Sequence, residues 1–475
     1  MHEKNTKIVC TLGPSSDSVK EILGLAKAGM NVARLNFSHG TYEHHSKLIT
    51  NVHKVEKILG IRIGILQDLQ GPKIRIGQCP KEGIEIKKDE KFILSIKQIQ
   101  ALRTHAHGIV IPVRYKGIIK DAKKNTPILI NDGLFEALIL EKKKTGLICV
   151  AKTDGVIKTG NGLNLPMCSI SAPAITEKDK EDLKFGLSKQ VDFIALSFVK
   201  SEKDIKQLKK LTENTLNPPQ IIAKVERHEA VKHLKEIIKT SDAVMVARGD
   251  LGVDIAPEQV PIVQKKMISL ANKYGKPIIT ATQVLQSMVK NPTPTRAEIS
   301  DAANAVFDHT DAIMLSNESA VGKYPVRAAV TLTKVALAVE NELKKDEELR
   351  NTFITKRNIK ESDAAYESAC DLARETNSDA IIVFTKTGDL SKQIAKYRMY
   401  IPIITITDSE KTARKLTLVW GINKVFVKKL PENDFKKQTT ILNFLQREKT
   451  LKKGSKVILI LKTKDKNNTI STHKL

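Results

Sequence analysis

Lys224 and Glu226 stand two residues apart directly after the apolar run Ile221-Ile222-Ala223. On an extended chain that spacing points both side chains the same way, so an ammonium and a carboxylate can serve one ligand. A solvated surface pair is the ordinary fate of such residues, but the apolar run predicts a buried strand, which places the charges at its rim. Arg248-Gly249-Asp250 follows a second run, Ala243-Val244-Met245-Val246, and supplies another carboxylate. Glu226 and Asp250 can together hold one hard divalent ion, because magnesium takes one or two protein carboxylates and leaves positions for substrate oxygens. The competing use of Asp250 is a structural ion pair with Arg248. Arg34, Arg75 and Lys224 bring three cations, more than two carboxylates require, and surplus positive charge beside a metal suits a phosphorylated carboxylate. Gly249 exposes backbone N–H groups just before Leu251-Gly252, where a substrate carboxylate can be held.

Other chemistries find no support. The 11 histidines form no H-E-x-x-H or comparable ligand set; His44-His45 reads as an exposed helical pair, leaving His39 as the one histidine candidate. Walker, G-x-G-x-x-G and H-R-D motifs are missing, so a nucleotide must be held in another way. The 5 cysteines are odd in number and never spaced C-x-x-C, which predicts free thiols rather than disulfides or zinc. A net charge of +26 would fit a nucleic-acid binder, yet aromatics make up only 4% and the lysines are spread along the whole chain. Nucleic acid is therefore not expected as the main partner; the positive field instead concentrates anionic metabolites.

The order of elements along the chain decides what positions these groups. A length of 475 residues with 41% hydrophobic content predicts two or three domains. Ile8-Val9-Cys10, Val32–Leu35, Ile63–Leu66, Phe193–Leu196, Ile221–Ala223, Ala243–Val246, Pro277–Thr280 and Ala312–Leu315 alternate with amphipathic helical stretches. Eight βα units are the count for a closed (β/α)8 TIM barrel, whose chemistry sits where strands end. The polar groups at those ends are Arg34, Asn36 and Ser38, then Asp68 and Arg75, then Lys224 and Glu226, Asp250, Thr282, and Ser316 with Glu318. Short alternating segments broken by Asn131-Asp132-Gly133 predict a small β domain inserted after strand three, over 76–163, between barrel segments 1–75 and 164–344. Residues 345–475 read as an open-sheet α/β domain with strands near Ala380–Phe384, Ile401–Ile404 and Lys456–Ile460, and a frayed polar end at Lys464–Asn468. The start Met1-His2-Glu3-Lys4 leads into a strand without a signal-peptide core, and no stretch reaches membrane-span length, so a cytoplasmic protein is expected.

At these residues the sequence closely resembles the pyruvate kinase family. The resemblance rests on Lys7-Ile8-Val9-Cys10-Thr11-Leu12-Gly13-Pro14, Asn31-Val32-Ala33-Arg34-Leu35-Asn36-Phe37-Ser38-His39-Gly40, Asp68-Leu69-Gln70-Gly71-Pro72-Lys73-Ile74-Arg75 and Val244–Gly252. Leu163–Pro166, Ala281-Thr282-Gln283 and Pro294–Glu298 extend it. It covers the barrel and insertion almost continuously and the C-terminal domain more loosely. It implies a barrel with a mobile small β-barrel cap and a C-terminal α/β domain, a homotetramer, and phosphoryl transfer from phosphoenolpyruvate to ADP. Carried over, Lys224 looks like the central catalytic cation, Arg34 a phosphate-binding and catalytic group, and Glu226 and Asp250 magnesium ligands, with manganese as the alternative ion. Gly249, Asp250 and Thr282 look like contacts to the pyruvate moiety; Thr282 with Ser316 and Glu318 lies near a proton path. Arg75, His39 and Asn36 look like nucleotide contacts. Asn36, Ser38, Asp68 and the Leu69 backbone look like the monovalent-cation site.

The sequence departs from the family at informative places. Members that need potassium carry Glu in the position of Lys73, so a built-in ammonium is expected to replace that ion and potassium not to be required. Thr385-Lys386-Thr387-Gly388-Asp389-Leu390 resembles the effector-phosphate loop, but Asp389 would repel phosphate, and the effector stays unassigned. The rivals are another pyruvate-handling barrel, such as an aldolase-type lyase, and a basic nucleic-acid-binding protein.

Overall fold

The eight apolar runs form parallel strands, β1 (Lys7–Thr11), β2 (Val32–Asn36), β3 (Gly64–Asp68), β4 (Phe193–Leu196), β5 (Gln220–Val225), β6 (Ala243–Ala247), β7 (Ile278–Ala281) and β8 (Ala312–Leu315). Each pairs with the next and β8 with β1, closing the barrel. The computed structural model describes residues 4–97, 99–104, 108–345, 361–431, 434–462 and 468–475. Period-two geometry splits each strand between two cores. Val9, Val32, Leu66, Ala195, Ile222, Met245, Ile279 and Met314 fill one cluster, while Ile8, Cys10, Ala33, Ile65, Ile194, Ala223, Val244 and Ile313 join the helices in the other. Burial on both faces is why these strands are nearly uniformly apolar until their last residues. Helix starts are fixed locally by capping boxes, Thr176 with Asp179, Ser201 with Asp204 and Thr295 with Glu298.

The chain leaves the barrel after β3 and builds a seven-stranded sheet plus a two-stranded ribbon. The predicted turn lies between antiparallel strands Pro127–Ile130 and Phe135–Lys143, with Asn131, Asp132 and Gly133 all at positive φ (56°, 55° and 88°). This cap has its own hydrophobic core, running in sequence from Ile74 to Ile170 and sharing none of the barrel's residues. Its return strand, Leu163–Asn164, pairs with Pro127–Ile130, and Arg75 bridges to Gly162 where the two passages of chain meet.

The C-terminal domain is a five-stranded sheet of β9 (Ala380–Phe384), β10 (Ile403–Thr407), β11 (Ile422–Val427), β12 (Lys456–Lys462) and β13 (Asn468–Lys474), in the order β11-β10-β9-β12-β13. Sequence reading missed β11 and β13. Both are edge strands with one neighbour each, so polar residues can occupy them and their pairing is decided by the partner strand. Of the end expected to fray, 464–467 lie outside the described residues, and Asn468 opens β13, antiparallel to β12. The domain docks on the barrel through buried charges. Arg398 donates to both Asp311 oxygens (3.1 and 2.8 Å), to Asn272 and to the His309 carbonyl, and Arg414 and Lys411 reach Asp192. Asp192 and Asp311 immediately precede β4 and β8, so the docking face is the barrel's N-terminal end and the opposite end stays open. Among the described residues no helix is long and apolar enough to cross a membrane.

Candidate active site

Parallel register brings the polar strand ends to one level. Arg34 on β2 sits opposite Leu66 and Asn36 opposite Asp68 on β3, while Lys224 on β5 sits opposite Met245 on β6. Asp68 is the hub. One of its oxygens accepts from Arg34 Nε at 2.7 Å and the other lies 3.1 Å from Lys224 Nζ. Lys224 also contacts Glu226 Oε1 at 3.0 Å and donates to Ser197 Oγ at 2.7 Å. Arg34 Nη1 donates to Thr11 Oγ1 at 2.9 Å. Burial opposes the Lys224 charge, but the carboxylates of Asp68 and Glu226 outweigh it and hold the ammonium above its ordinary value. Burial likewise pushes Asp68 upward, and Lys224 with Arg34 overcomes it, holding the carboxyl below its usual value.

Glu226 and Asp250 differ in a way that suits a shared ion. Glu226 is buried, with Oε2 accepting the Phe198 N–H at 2.7 Å. Burial lifts its carboxyl above the ordinary range; Lys224 opposes that lift and the nearby Asp250 charge adds to it. Asp250 is free of Arg248, which instead forks onto Asp301 at 2.7 Å twice and caps the carbonyls of Thr282 and Gln283. The ion pair weighed for Asp250 and Arg248 is therefore not formed, because the guanidinium turns to the chain after β7. Two carboxylates at a rim, one half-exposed, fit a hard divalent cation that completes its shell with substrate oxygens.

Gly249 is the second residue of the short helix Arg248–Asp254, and its N–H is donated to Thr282 Oγ1 at 2.8 Å. Thr282 and Gln283 both lie at positive φ (66° and 52°), so the chain after β7 bends sharply to put this hydroxyl against the glycine. Glu318, fully buried, accepts from the N–H groups of Leu285 and Ser316 at 3.0 and 2.8 Å, while Ser316 Oγ is buried and meets no hydrogen-bond partner among the described residues.

The strand-two loop is held from below. Ser38 N–H donates to Asn36 Oδ1, and His45 Nε2 lies 3.0 Å from the His39 carbonyl. His45, expected on the surface, is buried and stacks on Phe37 with ring centroids 4.1 Å apart. A polar side chain read as surface therefore lies on the buried face of its helix, in line with Leu48, Ile49 and Val52, where the ring of Phe37 covers it. Burial, followed by the charges of Arg75, Lys73 and Arg34, depresses the His39 pKa. Arg75 Nη1 donates to the Gly160 carbonyl of the cap at 3.0 Å. Lys73 Nζ lies 3.4 Å from Asp250 Oδ1, meeting this carboxylate rather than Asp68, whose two oxygens already face Arg34 and Lys224. The Leu69 carbonyl accepts from Ser197 Oγ at 2.7 Å.

Sequence reading missed Ser197 and Phe198. They follow β4, a strand end that no charged residue marks; Ser197 ties Lys224 to Leu69, and Phe198 adopts φ 55° to present its N–H to Glu226. Thr11, at the end of β1, is unmarked in the same way.

A closed βα barrel that gathers fixed cations and two neighbouring carboxylates at one rim, beside an inserted cap, has the make-up of a barrel enzyme for phosphorylated substrates. The chain belongs to the pyruvate kinase family. The profile of the pyruvate kinase barrel domain matches residues 3–329 and that of the pyruvate kinase alpha/beta domain residues 363–474. The chain is 42% identical over 428 residues to the pyruvate kinase of Geobacillus stearothermophilus, covering 88% of this chain and 71% of that one. It is 40% identical over 437 residues to that of Clostridium acetobutylicum, covering 91% and 90%. The crystal structure of a pyruvate kinase from Cryptosporidium parvum superposes with a TM-score of 0.89 at 33% identity, covering 99% of this chain and 96% of that one. The chain is thus a phosphotransferase.

Proposed function

We propose that this chain transfers the phosphoryl group of phosphoenolpyruvate to ADP, giving pyruvate and ATP in glycolysis, with Lys224 as the central catalytic cation. The observation that carries this is the locking of Lys224 Nζ by Ser197, Asp68 and Glu226 within 3.1 Å. An ammonium fixed in this way needs no reorganisation as charge builds on the equatorial oxygens and on the enolate oxygen left behind, so it stabilises the transition state more than the ground state. Arg34, anchored through Nε and Nη1, has Nη2 left to meet the phosphate. Glu226 and Asp250 hold the divalent ion, magnesium in this reading with manganese as the alternative; when bound, it neutralises phosphoryl and enolate oxygens. Gly249, Asp250 and Thr282 contact the pyruvate moiety, the Gly249 N–H turning from Thr282 to the substrate. Thr282, with Ser316 and Glu318 behind it, lines the route by which the enolate carbon gains its proton. Arg75, His39 and Asn36 face the nucleotide. The test is pyruvate formation from phosphoenolpyruvate and ADP with magnesium; no product at any divalent-ion concentration would refute the assignment.

Potassium is not required in this reading. The family's monovalent-cation set corresponds to Asn36, Ser38, Asp68 and Leu69, and Lys73, held 3.4 Å from Asp250, supplies a permanent charge at the same rim. Full activity is expected in buffer free of potassium and ammonium, and Lys73→Glu should make the rate rise at least about tenfold on adding potassium, the size of a modest electrostatic contribution. Wild-type activity appearing only after potassium is added would refute it. A cytoplasmic homotetramer is proposed on family resemblance, to be checked by light scattering on the purified chain. In the loop that resembles the effector site, Asp389 pairs with Lys392 at 2.8 Å and accepts from Thr387, so both are engaged without a ligand.

A further inference from the structure

Arg227 directly follows the proposed metal carboxylate Glu226 and is buried. Its guanidinium reaches in three directions. Nη2 donates to the Cys168 carbonyl at 2.6 Å, Nε donates to Glu229 Oε2 at 2.6 Å, and Nη2 lies 3.9 Å from Asp254 Oδ1. Cys168 belongs to the strap by which the cap returns to the barrel, and the side chains of Cys168 and Ile170 are part of the cap's own core. Glu229 takes hold of the same strap, accepting from Ser169 Oγ at 2.7 Å.

Asp254 lies one helical turn beyond Asp250 on the same short helix, so the two carboxylates share a face. Asp254 also accepts from the backbone N–H of His228 at 2.6 Å and faces His228 Nδ1 at 2.7 Å. The segment carrying Glu226 and the helix carrying Asp250 are therefore tied together behind the proposed metal carboxylates, at close range through His228 and at 3.9 Å through the guanidinium of Arg227, which also grips the cap. A second tie runs in parallel: Lys200 donates to the Ile170 and Ala172 carbonyls at 2.9 Å each, two residues past Phe198, whose N–H orients Glu226.

We infer that Arg227 is a positioning residue that couples the cap to the divalent-metal site, the clamp on Cys168, Glu229 and Asp254 making the spacing of Glu226 and Asp250 depend on where the cap sits. This rests on the reading of Glu226 and Asp250 as the metal ligands. Coupling of this kind is reciprocal: if the cap position alters metal affinity, metal with substrate must hold the strap by the same factor.

The test uses the full chain with magnesium chloride and phosphoenolpyruvate, without ADP, so that no turnover occurs. Magnesium affinity is read by calorimetry and amide exchange of Cys168–Ala172 by mass spectrometry. In the wild type, ligand is expected to slow strap exchange by about tenfold, within the usual range of coupling between sites. Arg227→Met should bind magnesium about tenfold more weakly and show less than about twofold ligand-dependent slowing. Should it not fold, Asp254→Asn, which keeps the shape of the side chain but removes its charge, should show the same two changes at smaller size. Undiminished slowing in whichever variant folds would overturn the inference, since a merely structural role would loosen the strap without uncoupling it. Glu226→Gln tests the underlying reading separately: magnesium binding retained there would refute the ligand assignment, whatever the Arg227 result.

Discussion

Lys224→Met is expected to lower kcat by about two to three orders of magnitude, roughly 3 kcal/mol or more of transition-state stabilisation. Methionine keeps most of the side-chain volume, so packing against Ser197 should survive while the charge is lost. The removed ammonium touches Asp68, Glu226 and Ser197 at once. Its contribution grows as negative charge develops, so kcat should fall by more than substrate affinity does. Steady-state kinetics with phosphoenolpyruvate and ADP decide this. A variant retaining near wild-type kcat would remove Lys224 from the centre of the mechanism.

Asp68→Ala should be the most damaging change to stability among the rim residues, costing about 3–5 kcal/mol, because it leaves two buried cations with one carboxylate fewer. Arg34 would keep only Thr11, and Lys224 would keep Ser197 and Glu226. Urea unfolding in the absence of substrate should show the midpoint fall; an unchanged midpoint would mean that water replaces the carboxylate without penalty. The same contact sets an acid dependence. Against the upward pull of burial, Lys224 and Arg34 hold the folded Asp68 carboxyl below its ordinary value. Its contribution is therefore complete above the unfolded value and is lost as pH falls from there through the lower folded value. Wild type and Asp68→Ala should converge in stability as the pH falls through that window, and parallel curves down to pH 2 would contradict the linkage.

Much of this protein was legible in one dimension. β1 to β8 could be read because strands buried on both faces must be continuously apolar, and strand ends could be found because polarity returns there. That ground places Glu226, Asp250, Lys224 and Arg34 at the rim, and tolerance of positive φ places the cap's turn at Asn131-Asp132-Gly133. Edge strands β11 and β13 were hidden because a strand with one neighbour needs no apolar signature.

What the sequence determined alone was therefore the barrel, the inserted cap, and the residue types gathered at the rim, since each follows from local periodicity and spacing. Partner choice belonged to the tertiary structure. Arg248 could have taken Asp250 but takes Asp301, Lys73 meets Asp250 rather than Asp68, and His45 turns inward onto Phe37. In each case several partners of the right charge or shape were near in sequence terms. Which one is met depends on distances between segments far apart in the chain, and a buried charge settles on the partner that leaves fewest others uncompensated.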